Sequence, residues 1–183
     1  MSVADSRVSF AELQQWPEDG RRYELYDGEV IVVPSPFPRH QRVGMHIGEV
    51  LGEYERASGG IVFAVPIDIV FTEYDVIQPD LVFFTKERRH LIRMWQETRV
   101  PPDLAIEVLS RGTERRDRGR KMALLAQFGV PEYWIVDPAK NLLEIYALAN
   151  SAHVLVGTWD EAGRVTSPTL PGLSFEASRI FAE

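Results

Sequence analysis

The sequence predicts an α/β fold of the α+β kind, and three observations carry that expectation. Two short apolar strands lie near 81–84 and 104–109, and each bears one carboxylate. Two stretches, 39–58 and 113–128, place apolar residues on one helical face. Further short apolar runs from 132 onward, separated by turn residues, read as additional strands.

The elements follow in order. Residues 9–16 predict a short helix, with Ser9 as N-cap and Glu12 completing a capping box. Residues 22–33 read as a hairpin turning at Asp27-Gly28. Pro34, Pro36 and Pro38 make a stiff loop. The helix over 39–58 buries Val43, Ile47, Val50, Leu51 and Tyr54, and stops at Gly59-Gly60. Strands are expected at 61–65 and 67–72, then a break at 73–78, then the Asp80 strand. Residues 86–98 read as helical or irregular. The Glu107 strand and the helix over 113–128 come next, then strands at 132–137 and 142–148. The tail, 152–158 and 163–167, reads as a final hairpin around Asp160–Gly163. With 183 residues, no internal repeat and no linker-like stretch, one domain is expected, its core over about 10–148 and a C-terminal hairpin over 150–183.

The strand over 104–109 is informative because Glu107 interrupts an apolar run typical of strands buried on both faces. A buried carboxylate is costly unless a cation, a metal or hydrogen-bond donors satisfy it. Asp80 opens the other strand, after Pro79. If the two strands are antiparallel neighbours, the start of one lies beside the end of the other, and the two acids meet. Two carboxylates converging among apolar side chains suit magnesium or manganese. Asp103 is also an acid after a proline. It lies about 13 Å from Glu107 along a strand, too far to share one ion, and reads as a strand-opening residue.

The helix after Glu107 opens at Thr113, an N-cap candidate, with Glu114 in its first turn. Lys121 shares a face with Leu125 and Phe128, four residues after Asp117. Two readings stay open. One is a solvated Asp117–Lys121 pair; the other is a lysine delivered to the Glu107 strand.

These residues carry a resemblance. Pro79-Asp80, Glu107-Val108-Leu109-Ser110, Asp117 with Lys121, and the run from Gly129 to Asp137 resemble the Uma-two family of restriction-endonuclease-like proteins, within the PD-(D/E)XK nuclease superfamily. Tyr23 to Val30 and Ser35 to His40 add to the likeness, which covers about residues 10–148. It implies a mixed central β-sheet of four or five strands flanked by helices, with an N-terminal hairpin and a C-terminal β extension. It also implies magnesium-dependent hydrolysis of phosphodiester bonds, with DNA as the substrate. Asp80 and Glu107, with the Val108 carbonyl, would hold the metal. Lys121 would orient water or stabilise the transition state. Glu24 would add a ligand or acceptor, or else lie on the surface paired with Arg21 or Arg22. The superfamily's lysine position, two after the second acid, holds Leu109, so Lys121 would be a migrated lysine. The alternative is an inactive nuclease fold used for nucleic-acid binding or oligomeric assembly.

Charge and composition bound the rest. The net charge of −7 opposes non-specific nucleic-acid binding. Locally the balance reverses. Residues 111–121 hold six basic and two acidic side chains, and Lys86 to Arg93 hold four basic and one acidic. These clusters would form a phosphate rim, with Arg115, Arg116, Arg118 and Arg120 binding substrate, unless they are solvated helix faces. His40, opening its helix, is a further substrate-binding candidate or a cap-region residue. No cysteine exists, which excludes disulfides and thiolate metal sites. The N-terminal residues lack a signal peptide's apolar core, and no apolar run could span a membrane, so a cytoplasmic protein is expected. Ser110 has no histidine placed to activate it and reads as a turn residue. An exposed Tyr133-Trp134 strand and the final hairpin would support a homodimer or higher oligomer.

Overall fold

A mixed sheet of six strands, in the order β10-β9-β8-β7-β6-β3, forms the centre of the molecule. The computed structural model describes residues 7–110 and 112–182. Residues 1–6, read above for a targeting signal, and Arg111 of the basic run lie outside the described residues. No helix among the described residues is long and apolar enough to cross a membrane.

The chain opens with α1 (Phe10–Leu13), whose Ser9–Glu12 capping box forms as expected. The hairpin β1 (Arg22–Tyr26) and β2 (Glu29–Val33) turns at Asp27 and Gly28, both at positive φ. Helix α2 (Pro38–Ser58) starts on a proline and ends on left-handed Gly59. Its buried stripe, Val43, Ile47, Val50 and Leu51, covers one face of the central sheet.

Strand β3 (Ile61–Phe63) forms one edge of that sheet. The strands expected at 61–65 and 67–72 are shorter, and β4 is only Ile69–Val70. The expected break at 73–78 contains a two-residue strand, β5 (Val76–Ile77). It pairs with β1 and β4 in a second sheet ordered β2-β1-β5-β4. Strand β6 (Leu81–Phe84) then enters the central sheet. The loop that follows contains one short turn of helix, Arg89–Leu91.

Strand β7 (Leu104–Val108) runs antiparallel to β6 and parallel to β8 (Glu132–Asp137). The crossover from β7 to β8 is helical over 114–127. It comprises α3 (Glu114–Arg116), a wider π turn over Asp117–Lys121, and α4 (Met122–Gln127). Thr113 precedes it but does not cap it with its side chain; the Thr113 hydroxyl sits 3.1 Å from that of Ser110. Leu124 and Leu125 pack the crossover on the sheet face opposite α2.

The C-terminal part differs from expectation. Strand β9 (Leu142–Ala149) turns at Asn150 and Ser151, both at positive φ, into β10 (Ala152–Trp159). So 152–158 pairs backward with β9, not forward with 163–167, and the sheet has six strands rather than four or five. Asn-Ser turns carry no glycine, which hid this hairpin from pattern reading. The small sheet of β11 (Arg164–Thr166) and β12 (Ser174–Glu176) and helix α5 (Ser178–Phe181) pack beside α2 instead. Tyr133 and Trp134 are fully buried, because β8 lies between β7 and β9. The expectation of an exposed Tyr-Trp strand for dimerisation is therefore overturned.

Candidate functional site

The antiparallel register of β6 and β7 places Leu81 opposite Ile106, so one step outward Asp80 faces Glu107. This is the convergence the sequence anticipated. Asp80 Oδ2 accepts the backbone N–H of Val108 at 2.9 Å and lies 3.0 Å from His40 Nε2. His40 comes from the first turn of α2, so the helix and the sheet meet at this carboxylate.

Lys121 reaches Glu107 from the crossover. Its Nζ lies 2.6 Å from Glu107 Oε1, 2.7 Å from Glu24 Oε1 and 3.9 Å from Asp117 Oδ1. The Lys121 side chain is 1% exposed, so the solvated Asp117–Lys121 pair is excluded. The π turn sets this geometry: it spans Asp117 to Lys121 and turns both inward. Such turns recur at functional positions.

Glu24 is also fully buried, which overturns the surface alternative with Arg21 or Arg22. It accepts the Gln78 N–H at 3.0 Å and the Tyr26 hydroxyl at 3.0 Å, and pairs with Arg116 at 3.5 Å. Tyr26 and Arg116 are thus members of the cluster that sequence reasoning did not place there. Tyr26 stands two residues after Glu24 on β1, on the same strand face, a period-2 signal that could have found it. Arg116 offered no such cue, because its target lies far away in sequence.

The cluster holds more negative than positive charge. Glu24, Asp80, Glu107 and Asp117 face Lys121 and Arg116, with His40 at the edge. Burial raises the Glu107 pKa well above the usual range; Lys121 opposes this, while Asp80, Asp117 and Glu24 add to it. Burial likewise raises Asp117, whose Oδ2 has no hydrogen-bond partner among the described residues. For Glu24, burial is outweighed by Lys121 and Arg116, and its pKa is lowered. For Asp80, burial is outweighed by His40 and the Val108 N–H. Burial disfavours the Lys121 ammonium, but Glu107 and Glu24 hold its pKa well above the usual lysine value.

A cavity of about 20 Å³ opens between Asp80, Glu107, Ser110 and Lys121. It has room for about one water or one ion. Two larger grooves, about 550 and 350 Å³, both reach His40 from outside. Among the described residues no three or more His, Asp or Glu side chains are grouped to hold a metal ion. Asp80 and Glu107 line a cavity the size of one ion with two carboxylates, donor chemistry of the kind Mg²⁺ takes. That ion often takes one or two carboxylates and completes its shell with water and phosphate. When all four acids are ionised they outnumber the two cations, and the raised pKa values of Glu107 and Asp117 reflect that crowding.

The other expected residues divide. Leu109, at the position where the resemblance called for a lysine, is buried in the apolar cluster under the crossover. Arg116 turns inward to Glu24 and Asp117. Arg118 is engaged by Glu114 and Glu144, and Arg120 by Glu29 and the Tyr26 carbonyl. These three do not form a free phosphate rim, because carboxylates of the same chain already hold them. Arg115 is exposed and has no carboxylate partner among the described residues. The second basic cluster, Lys86 to Arg93, leaves β6 from the end opposite Asp80, so it does not ring the carboxylates. Asp103 accepts from the Thr85 N–H and pairs with Arg88, as a strand-opening residue would.

The sequence matches the Uma2 family, described as "Putative restriction endonuclease", over residues 10–178. No curated protein matches it. The fold is similar to a crystal structure titled as a putative nuclease belonging to DUF820 from Anabaena variabilis. The TM-score is 0.79 at 18% identity, over 96% of this chain and 98% of that one. With the match covering nearly the whole described chain, the protein belongs to the Uma2 family.

Proposed function

We propose that this protein is a Mg²⁺-dependent endonuclease that hydrolyses phosphodiester bonds of DNA. The observation that carries the reading is the Asp80–Glu107 pair at adjacent strand ends, inside a cluster with surplus negative charge and one buried lysine. The family supports the reaction class. Asp80 and Glu107 would hold the ion, with the Val108 carbonyl beside them; Mn²⁺ could serve in its place. When bound, the ion supplies a water of lowered pKa and neutralises charge on the phosphate.

The side chains have distinct tasks. Lys121 stays cationic, so it is an electrostatic partner for the developing oxyanion and not a proton acceptor. Glu24 fixes Lys121 from the far side. His40 steadies Asp80 through Oδ2 at the mouth of both grooves. Cutting both strands of a duplex would need two such sites. Strand β10 has no pairing partner on its outer edge among the described residues and exposes Val154, Leu155 and Val156, which suits a second copy.

The test is nicking of supercoiled plasmid with Mg²⁺, alongside calorimetry of Mg²⁺ binding, for wild type, Asp80→Ala and Glu107→Ala. Wild type should bind the ion and nick the plasmid. Each variant should lose both by at least a hundredfold. Absence of Mg²⁺ binding at millimolar concentration would sink the reading. It would leave Leu109, in the superfamily's lysine position, as the mark of a fold kept for binding alone.

A further inference from the structure

The loop between β6 and β7 carries a feature the site does not use. Trp95 is 98% exposed, and Leu91 and Met94 beside it are also exposed. The loop is nonetheless held in place. Arg88 pairs with Asp103 and Arg89 bonds the carbonyls of Gly59 and Gly60. Ile92 packs on the core, and Thr98 bridges to β4. A Trp left in water by a fixed loop wastes a large apolar surface unless a partner covers it.

The charge around Trp95 says what kind of partner. The chain carries −7 overall, yet the loop that bears Trp95 holds Lys86, Arg88, Arg89 and Arg93 against Glu87 and Asp103, with Arg93 bonded to Gln96 beside Trp95. Asp103 is engaged by Arg88. Glu97 and Glu73 are engaged by Arg99. Lys86, Arg89 and Arg93 have no carboxylate partner within ion-pair distance among the described residues. An exposed aromatic ring among unneutralised cations matches a nucleic-acid strand, whose bases stack and whose phosphates bind the cations.

We propose that the loop over 86–96 is a second nucleic-acid contact, with a base on Trp95 and phosphates on Lys86, Arg89 and Arg93. The proposal rests on the nuclease reading above and adds an anchoring point to it. Helix α2 links the two places. His40 lies in its first turn at the carboxylates, and Arg89 touches Gly59 at its end. Nineteen helical steps make about 28 Å. That is about eight nucleotides at about 3.4 Å each. The groove between carries Glu49 and Glu53 against Arg56, with Glu53 bound by Arg179, so it provides no phosphate track. Contact is made at the two ends.

The experiment measures affinity of the full chain for fluorescent 20-nucleotide single-stranded and duplex DNA, without added metal, over a salt series. Wild type is compared with Trp95→Ala and with the Lys86→Glu/Arg93→Glu double variant. All three positions are exposed, so the fold should hold. The expected result is about tenfold or more weaker binding for Trp95→Ala. The double variant should show a shallower salt dependence, by about one unit for each phosphate that is no longer neutralised. DNA-induced quenching of tryptophan fluorescence should vanish with Trp95.

Three results would overturn the proposal, and they differ. If wild type binds DNA and both variants bind equally well, the loop does not touch DNA, while the nuclease reading stands. If wild type binds neither DNA strand form, the loop contact falls, while the nuclease reading is still decided by Mg²⁺ binding and plasmid nicking. If Trp95 instead governs binding to anionic phospholipid vesicles and not to DNA, the loop is a membrane-binding surface.

Discussion

Glu107 and Glu132 sit on neighbouring parallel strands, and both are buried carboxylates, yet they are built differently. Glu132 is saturated by donors that carry no charge. The Trp134 indole N–H, the Ser167 hydroxyl and the Thr169 N–H all point at it. It ties the C-terminal segment to the sheet. Glu107 receives one ammonium, at 2.6 Å, and is otherwise crowded by Asp80, Asp117 and Glu24. A carboxylate that only supports the fold is satisfied within the chain. A carboxylate crowded by its own kind, as Glu107 is, suits the cation site proposed above. That contrast, more than burial itself, marks the candidate functional end of the sheet.

The sharpest way to break the comparison is to remove Lys121. Lys121→Met leaves Glu107, Glu24 and Asp117 buried without their ammonium, and should cost about 3–5 kcal/mol of folding stability. Denaturant unfolding measures it, and added Mg²⁺ should return part of the loss. A cost near zero would mean that the cluster simply takes up protons. The next largest effect belongs to Glu132. Glu132→Ala strands three donors and should cost about 2–3 kcal/mol. Mg²⁺ affinity by calorimetry should not change, since Glu132 is outside the cluster. A loss of ion binding in this variant would erase the distinction between the two acids.

Much of this end of the molecule could be read from the sequence, for identifiable reasons. Glu107 announces itself by breaking an apolar run, and Asp80 by opening one. A single rule of strand pairing then brings them together. Helical phase put Lys121 on the buried face but left it open between a solvated pair with Asp117 and a lysine delivered to Glu107. What could not be read depends on distant partners. Arg118 and Arg120 looked free because Glu144 and Glu29 lie far from them in the chain. The role of Glu132 was not legible because two of its three donors, Ser167 and Thr169, lie far along the chain. Strand β5 was too short to show a pattern. The tail was mispaired because Asn150-Ser151 makes a tight hairpin turn without glycine. The π turn left no trace in residue spacing, yet it is what brings Asp117 and Lys121 into the cluster together.

The smallest predicted effect is the most discriminating, because its sign depends on pH. Glu107→Gln removes a carboxyl whose pKa is raised in the folded protein by burial and by neighbouring carboxylates. A raised acid favours folding while protonated. Its contribution is fully present below the ordinary glutamate value and is lost as pH rises through the folded value. The Gln variant mimics the protonated form at every pH. In metal-free protein it should therefore melt higher than wild type at pH 8, by about 2–4 °C, the shift that about 1 kcal/mol produces in a chain of this size. The gap should close as pH falls toward the ordinary carboxylate range. Mg²⁺ should reverse the order at pH 8, since it stabilises only the form that binds it. Thermal melts at pH 5 and pH 8, with and without Mg²⁺, test all of this. If the Gln variant is less stable than wild type at pH 8 without metal, Glu107 is as well satisfied by Lys121 as Glu132 is by its donors. The carboxylate cluster would then be a structural ion pair rather than a site awaiting a cation.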